Sequence, residues 1–180
     1  MKKDLKDYLR DDLMLDEINS GEETPLMLGI LLDADALIAL AKQDDSNHLR
    51  AVKINDELQI RGVSYMLAPF TVAEAATVLS YKVSHQAAKK FLKQIRELDI
   101  PAFDLKEEQI KLAESWFNKQ SKKGISYFDC FNMALLERYK KQIEAIFSFD
   151  SIYQKNGFKI AEDLIFEVNY NLWTRSGRQL

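Results

Sequence analysis

The sequence has little cysteine and little histidine, with one Cys and two His among its 180 residues. Because Cys130 is the sole thiol, the chain forms no internal disulfide, and this cysteine usage fits a reducing compartment. His48 and His85 lack the partner spacing that is typical of a zinc site. The composition therefore excludes a disulfide scaffold and gives no sign of a zinc centre.

Long apolar runs are absent as well. No stretch approaches the roughly 20 residues that span a bilayer. The segment Met1–Asp7 is too acidic and too short of apolar residues to be a secretory signal. We therefore expect a cytoplasmic protein without a membrane segment.

The net charge of −3 is distributed unevenly. Residues 1–28 hold 4 Lys or Arg and 8 Asp or Glu, a net −4, which leaves +1 for the rest of the chain. A nearly neutral body is not typical of bulk nucleic-acid binding, so any phosphate-binding surface must be local.

The charge pattern also suggests how the chain is divided. Residues 1–28 form an acidic extension, in which Leu5, Leu9 and Leu13 predict a short amphipathic helix before a linker. This helix either packs on its own domain or serves as a docking segment for a partner or a second copy. Residues 29–165 form the main domain, and residues 166–180 form a C-terminal tail that the sequence does not explain.

Predicted strands and helices alternate within residues 29–165, which indicates an α/β domain with a mainly parallel sheet of about five strands, covered on both faces. The predicted strands are 29–33, 63–68, 100–103, 145–149 and, less clearly, 158–161. The predicted helices are 36–42, 46–61, one that begins at 71, 84–98, 106–121 and 127–140.

Four acidic residues lie directly after predicted strands or at helix starts. They are Asp33, Glu74, Asp129 and Asp150. A carboxylate among apolar neighbours is costly to desolvate unless a positive charge lies against it. Ligands bind outside the carboxyl ends of the strands in such sheets. The pattern therefore predicts one shared pocket for a hard divalent cation that is bound through oxygen atoms.

The run Leu31–Leu40, which begins Leu-Leu-Asp-Ala-Asp, resembles the opening strand and helix of PIN domains, particularly VapC-like toxin ribonucleases. Asp33 matches the first acidic residue of the family, and Asp35 fits the polar residue that often follows two positions later. Glu74 matches the helical Glu after the second strand. Ser126-x-x-Asp129 and Ser148-x-Asp150, with the family's usual aromatic downstream, match the remaining two motifs.

This resemblance implies a three-layer α/β/α fold and the hydrolysis of RNA phosphodiester bonds with Mg²⁺ or Mn²⁺. Asp33, Glu74 and Asp129 would hold the principal ion, and Asp150 would complete that site or bind a second ion. Ser126, Ser148 and Asp35 would lie behind these ligands and orient them. The implied partners are an RNA substrate, a cognate antitoxin protein and a second copy of the chain in a homodimer.

Each of these acidic residues also has a purely structural interpretation. Asp33 and Asp150 suit turns, and Asp35 suits a helix cap. Glu74 suits a capping box with Thr71, and Asp129 suits a first helical turn, where the helix dipole favours acids. Five lysines form two possible phosphate-binding groups, although a solvated surface is the commoner explanation for such residues: Lys82, Lys89 and Lys93, and then Lys122 and Lys123.

Two other functions remain open. Asp33-Ala34-Asp35 also resembles the opening of haloacid-dehalogenase-like phosphatases, in which Asp33 would be the nucleophile, although the Gly-Thr that usually follows is absent here. Alternatively, a PIN-like scaffold that holds metal poorly would be a non-catalytic module that binds RNA or protein.

Overall fold

The computed structural model describes residues 3–9, 29–121 and 123–165. Three strands are present in these parts of the chain: β1 (Gly29–Leu32), β2 (Ser64–Leu67) and β3 (Ile143–Phe147). The helices are α1 (Ala34–Ala41), α2 (His48–Ile60), α3 (Thr71–Lys82), α4 (His85–Leu98), α5 (Glu107–Lys119), α6 (Tyr127–Arg138) and α7 (Ile152–Lys155). A single turn of 3-10 helix, Leu5–Asp7, precedes them.

The strands form one parallel sheet in the order β2–β1–β3, which confirms the predicted α/β class and the parallel pairing. The prediction of about five strands is wrong, because the segments near 102 and 160 each make one parallel bridge, Leu67 with Ala102 and Ile146 with Ile160. Pro101 has no N–H group to donate, so it contributes only a carbonyl to Leu67. The second segment is short because Gly157 turns the chain before it and residues 161–165 are helical after it.

Alternation along the strands directs side chains to both faces of the sheet. Ile30 and Leu32 lie in a core cluster with α1–α4, whereas Leu31 lies in a second cluster with α5–α7. All three side chains are completely buried. The sheet is therefore covered on both faces, as the apolar run at the start of β1 predicts.

Gly29 lies where β1 and β3 change register. A Cβ atom at this position would clash with the carbonyl oxygen of Gln142 and with the side chain of Met66. The close approach of the two chain segments therefore requires glycine at this position.

Residues 3–9 pack against the domain. Leu5, Tyr8 and Leu9 are buried in the cluster that holds α1–α4. The Asn55 side chain donates a hydrogen bond of 2.6 Å to the carbonyl of Tyr8, and Lys90 forms an ion pair with Asp4. The remainder of the predicted amphipathic helix, with Leu13, and the tail 166–180 lie outside the described residues. The division of the chain at residue 29 stays a prediction.

The helices offer no candidate for a membrane span: within the described ranges, none is both long enough and apolar enough to cross a bilayer.

Candidate active site

The carboxyl ends of β1 and β3 lie side by side, and each is followed by an acidic residue. Asp33 directly follows β1, and its backbone N–H donates to the carbonyl of Phe147 at 3.1 Å. Asp33 caps α1, since its Oδ1 atom accepts a hydrogen bond from the N–H of Ala34 at 2.8 Å. The side chain is nevertheless 5% exposed, so a carboxyl group is buried at the sheet edge.

Two buried polar side chains hold the Asp33 carboxyl group. The amide of Asn132, on α6, donates to Asp33 Oδ1 at 3.0 Å and to the hydroxyl oxygen of Tyr153 at 2.9 Å. Tyr153, on α7, contacts Asp33 Oδ2 at 3.0 Å and Asp129 Oδ1 at 3.2 Å through the same hydroxyl group. The Tyr153 hydroxyl therefore joins the carboxyl groups of Asp33 and Asp129.

Asp129 lies in the first turn of α6. Its Oδ2 atom accepts a hydrogen bond of 3.0 Å from the N–H of Ser126, while the Ser126 hydroxyl accepts one from the N–H of Phe128. This capping box fixes one oxygen of Asp129 to the helix start and leaves the other toward Tyr153. The structural role expected of Asp129 and its place in the acidic group are thus compatible.

Asp35 does not cap α1, because Asp33 occupies the cap position. Asp35 Oδ2 instead accepts hydrogen bonds from the Ser148 hydroxyl at 3.1 Å and the Phe149 N–H at 2.8 Å. The Ser148 hydroxyl also accepts from the N–H of Asp150 at 3.1 Å. Asp35 and Ser148 therefore fix the loop after β3 against α1.

Asp150 is exposed at the end of that loop. Its Oδ1 atom accepts a hydrogen bond of 2.9 Å from the N–H of Ile152 at the start of α7. Asp150 thus has a turn-forming role in addition to any role at the site, and it is the most solvated of the four predicted ligands.

Glu74 is half-buried in the first turns of α3, and it does not form the capping box with Thr71 that its position suggests. The helix begins at Thr71, so Phe70 is the capping residue and Thr71 is buried within the helix. Burial, followed by the charges of Asp33 and Asp129, raises the pKa of Glu74 to about 7. The charges of Asp33 and Asp129 therefore act on the Glu74 carboxyl group.

The other carboxyl groups are also hard to ionise. Burial, followed by the charge of Asp35, raises the pKa of Asp33 to about 7. The pKa of Asp35 rises to about 6, chiefly through burial, and burial also raises the pKa of Asp129. Like charges brought together in a poorly solvated place favour the protonated forms. A bound cation would favour the ionised forms instead.

The donor set suits a hard divalent cation, because it consists of carboxylate oxygens. One of these, Asp35 Oδ1, is buried and has no hydrogen-bond partner among the described residues. The described residues hold no group of three or more His, Cys, Asp or Glu side chains that is arranged to hold a metal ion. Mg²⁺ needs only one or two carboxylates besides water and phosphate oxygens, so these residues fit it without a preformed cage.

Within the described residues, none of the predicted RNA-binding lysines forms a hydrogen bond with these acids. Lys82, Lys89 and Lys123 are exposed, Lys93 pairs with Glu97 at 3.8 Å, and Lys122 lies outside the described residues. Their role in RNA binding stays a prediction.

Sequence reasoning missed Asn132 and singled out Tyr153 only as an unnumbered downstream aromatic. The sequence carries the same signal for both residues, namely a spacing of three from a predicted ligand. Asn132 lies three positions after Asp129, and Tyr153 lies three positions after Asp150. Residues three apart share one helix face. Asn132 stands out further as a polar residue within the apolar run of α6.

Comparisons with known proteins identify the family and a related fold. A model of the PIN domain matches residues 30–159. Among solved structures, the fold is similar to VapC20 of Mycobacterium tuberculosis, a toxin that cleaves the sarcin-ricin loop, with a TM-score of 0.59 and 21% sequence identity. The match covers 72% of this chain and 95% of VapC20. A comparison with curated protein sequences gave no match. Since the family model spans most of the domain, the chain belongs to the PIN domain family.

Proposed function

We propose that this protein is a metal-dependent endoribonuclease that hydrolyses RNA phosphodiester bonds, and that it acts as the toxin of a toxin–antitoxin pair. One observation carries the proposal: acids from separate elements are gathered at the carboxyl end of a parallel sheet, where the Tyr153 hydroxyl joins Asp33 to Asp129 and where burial, followed by the neighbouring charges, raises the pKa of Asp33 and Glu74. Membership of the PIN domain family and the fold shared with an RNA-cleaving toxin support the same activity.

Asp33, Glu74 and Asp129 hold the principal Mg²⁺ or Mn²⁺ ion in this proposal, directly or through water. Asp150, which is more exposed, completes that site or holds a second ion. When bound, the ion makes a water molecule easier to deprotonate and offsets negative charge on the phosphate.

The surrounding residues act by orientation. Ser126 fixes one oxygen of Asp129 through its N–H group, and Ser148 and Asp35 fix the loop that carries Asp150. Asn132 and Tyr153, which are hydrogen-bonded to each other, each hold one oxygen of Asp33. Partners of this kind are needed because a rotated carboxylate is a poor ligand.

The phosphatase alternative gains nothing from the structure. In that family a nucleophilic Asp33 would be followed by Gly-Thr after the second Asp, whereas this chain continues Ala36-Leu37. One observation favours the non-catalytic module, namely that the described residues contain no preformed group of metal ligands.

Cleavage of labelled single-stranded RNA in Mg²⁺ or Mn²⁺ tests the proposal. We expect cutting that EDTA abolishes and that Asp129→Asn loses, whereas Asp56→Asn, an exposed acid on α2, should cut normally. Release of phosphate from small esters without RNA cleavage would favour the phosphatase. RNA binding that Asp129→Asn leaves unchanged, with cleavage by neither protein, would favour the binding module.

The toxin proposal also implies a cognate antitoxin that covers the acidic site, together with a homodimer. Light scattering of the purified chain tests the dimer. Inhibition of RNA cleavage by a co-expressed protein from the same operon tests the antitoxin, and cleavage that no such protein reduces would contradict this part of the proposal.

A further inference from the structure

Exposed aromatic side chains at the start of α6 and the end of α5 form an aromatic patch, in which they are joined by ring contacts through Phe131 and Phe70. Phe117, Tyr127 and Phe128 expose 45%, 37% and 40% of their surfaces, respectively. Phe117 contacts Tyr127 edge to face, with ring centroids 5.6 Å apart, and Tyr127 contacts Phe131 at 5.0 Å. Phe131 in turn contacts Phe70, which also contacts Phe128 at 5.8 Å. Contiguous exposed apolar surface of this kind marks a place where a ligand or a partner binds.

The aromatic patch borders two of the proposed metal ligands. Phe128 directly precedes Asp129 at the start of α6. Phe70 caps α3, and its carbonyl accepts the backbone N–H of Glu74 at 2.9 Å. A phosphate group that reaches Asp129 and Glu74 therefore brings its neighbouring nucleotides to the rings of Phe128 and Tyr127.

Two exposed lysines lie close to the aromatic residues in the sequence. Lys119, two residues after Phe117, is exposed and lies over the Trp116 ring with its Nζ atom 4.4 Å from the centroid. Lys123 is exposed in the loop between α5 and α6. Aromatic faces beside cations are the combination that single-stranded nucleic acids bind, with bases on the rings and phosphates on the cations.

We propose that Phe128 and Tyr127 stack an unpaired nucleobase of the RNA next to the scissile phosphate, with Lys119 and Lys123 contacting the backbone. The inference rests on the proposed ribonuclease function and specifies its substrate: the RNA must present an unpaired base beside the cleaved bond. A base within a duplex is stacked on its neighbours and does not offer its face to Phe128.

Fluorescence of a short single-stranded RNA that carries one 2-aminopurine, moved through the sequence, tests stacking on the full-length protein in EDTA. We expect quenching with the unaltered chain at one or more positions. Phe128→Leu keeps an apolar side chain against Phe70 but removes the ring, so it should weaken RNA binding about 5- to 150-fold and remove the quenching. Phe128→Trp should retain both the RNA affinity and the quenching of 2-aminopurine.

A control variant and an altered RNA separate stacking from general damage. Ile60→Ala replaces an 81% exposed apolar residue at the end of α2, ahead of β2 at the opposite end of the sheet, and should bind RNA normally. RNA with an abasic residue at the quenched position should bind the unaltered chain as weakly as intact RNA binds Phe128→Leu. The affinity of Phe128→Leu should be the same for abasic RNA as for intact RNA.

The inference fails if the unaltered chain quenches 2-aminopurine at no position, or if Phe128→Leu binds intact RNA as the unaltered chain does. These outcomes are independent of catalysis, because binding is measured without metal. RNA cleavage that persists unchanged in Phe128→Leu would leave the nuclease proposal intact and overturn the stacking platform alone.

Discussion

The hydroxyl group of Tyr153 lies 3.0 Å from the carboxyl group of Asp33, which is 120 residues earlier in the sequence. The same hydroxyl contacts Asp129 and accepts a hydrogen bond from Asn132. A tyrosine has one hydrogen to donate, so it cannot donate fully to two ionised carboxylates. A proton on one of the two carboxyl groups would satisfy the remaining contact, and burial raises the pKa of both Asp33 and Asp129.

Tyr153→Phe removes this hydroxyl and keeps the ring. We expect Mn²⁺ to bind about 10- to 100-fold more weakly, because Asp33 loses a partner that orients it. Isothermal titration calorimetry with the metal alone measures this change. Tyr65→Phe, which removes another buried hydroxyl in contact with Asn55, should bind Mn²⁺ normally. Equal affinity in both variants would show that Tyr153 does not position the ligands.

The affinity for the metal should increase with pH. Protons compete with the cation for Asp33 and Glu74, whose pKa values are about 7. Binding of Mg²⁺ or Mn²⁺ should therefore strengthen from pH 5.5 to pH 8 and release protons. Calorimetry in buffers of different ionisation enthalpy counts those protons, and an affinity that is constant over this range would contradict the assignment of these acids as ligands.

The stability of the metal-free protein should change in the opposite direction. Acids with raised pKa values bind protons more tightly in the folded chain than in the unfolded one, so their contribution to stability is complete below about pH 4. It is lost as the pH rises through about 7 for Asp33 and Glu74. The Tm in EDTA should therefore fall between pH 5 and pH 8, and Mg²⁺ should raise it most at pH 8.

The variant Glu74→Gln checks this assignment. It removes one of the titrating acids, so the decline of Tm with pH in EDTA should become shallower. The lowered pKa values of Asp4 and Glu162 act near or below pH 4.5 and do not affect this range. A Tm that rises from pH 5 to pH 8 in EDTA would rule out a buried acidic group of this kind.

Residues 3–9 should be part of the folded unit. Leu5 is 1% exposed within the core cluster of α1–α4, so Leu5→Ala should lower the free energy of unfolding by about 2–5 kcal/mol. Leu49→Ala, at an 82% exposed leucine, should change it by less than about 0.5 kcal/mol. Urea unfolding measures both variants, and equal small effects would mean that this segment contributes little to the core.

The sequence predicts much of this fold because the strongest patterns are local. The apolar run of β1 and the helical spacing of α2, α4 and α6 each determine an element without reference to distant residues. The segments near 102 and 160 are predicted as full strands for the same reason. Their composition suits strands, but Pro101 and the turn at Gly157 limit each to one bridge, which pattern alone does not reveal.

The candidate site shows where local reasoning ends. Asp33, Glu74, Asp129 and Asp150 each stand out beside apolar residues, and the sheet topology places their elements at one edge. The positioning roles of Asn132 and Tyr153 depend on long-range contacts with Asp33, which no local pattern encodes. Likewise, Thr71 and Glu74 match the capping-box pattern, but the helix starts at Thr71 and the box does not form.

The central position of β1 has a consequence for synthesis. β1 pairs with β2 on one side, but its other neighbour, β3, is made more than 100 residues later, and Tyr153 later still. A nascent chain that stops before α7 lacks the group that joins Asp33 to Asp129. If the protein degrades RNA, the ribosome that makes it therefore carries an incomplete enzyme, and the site forms only after nearly the whole domain has emerged.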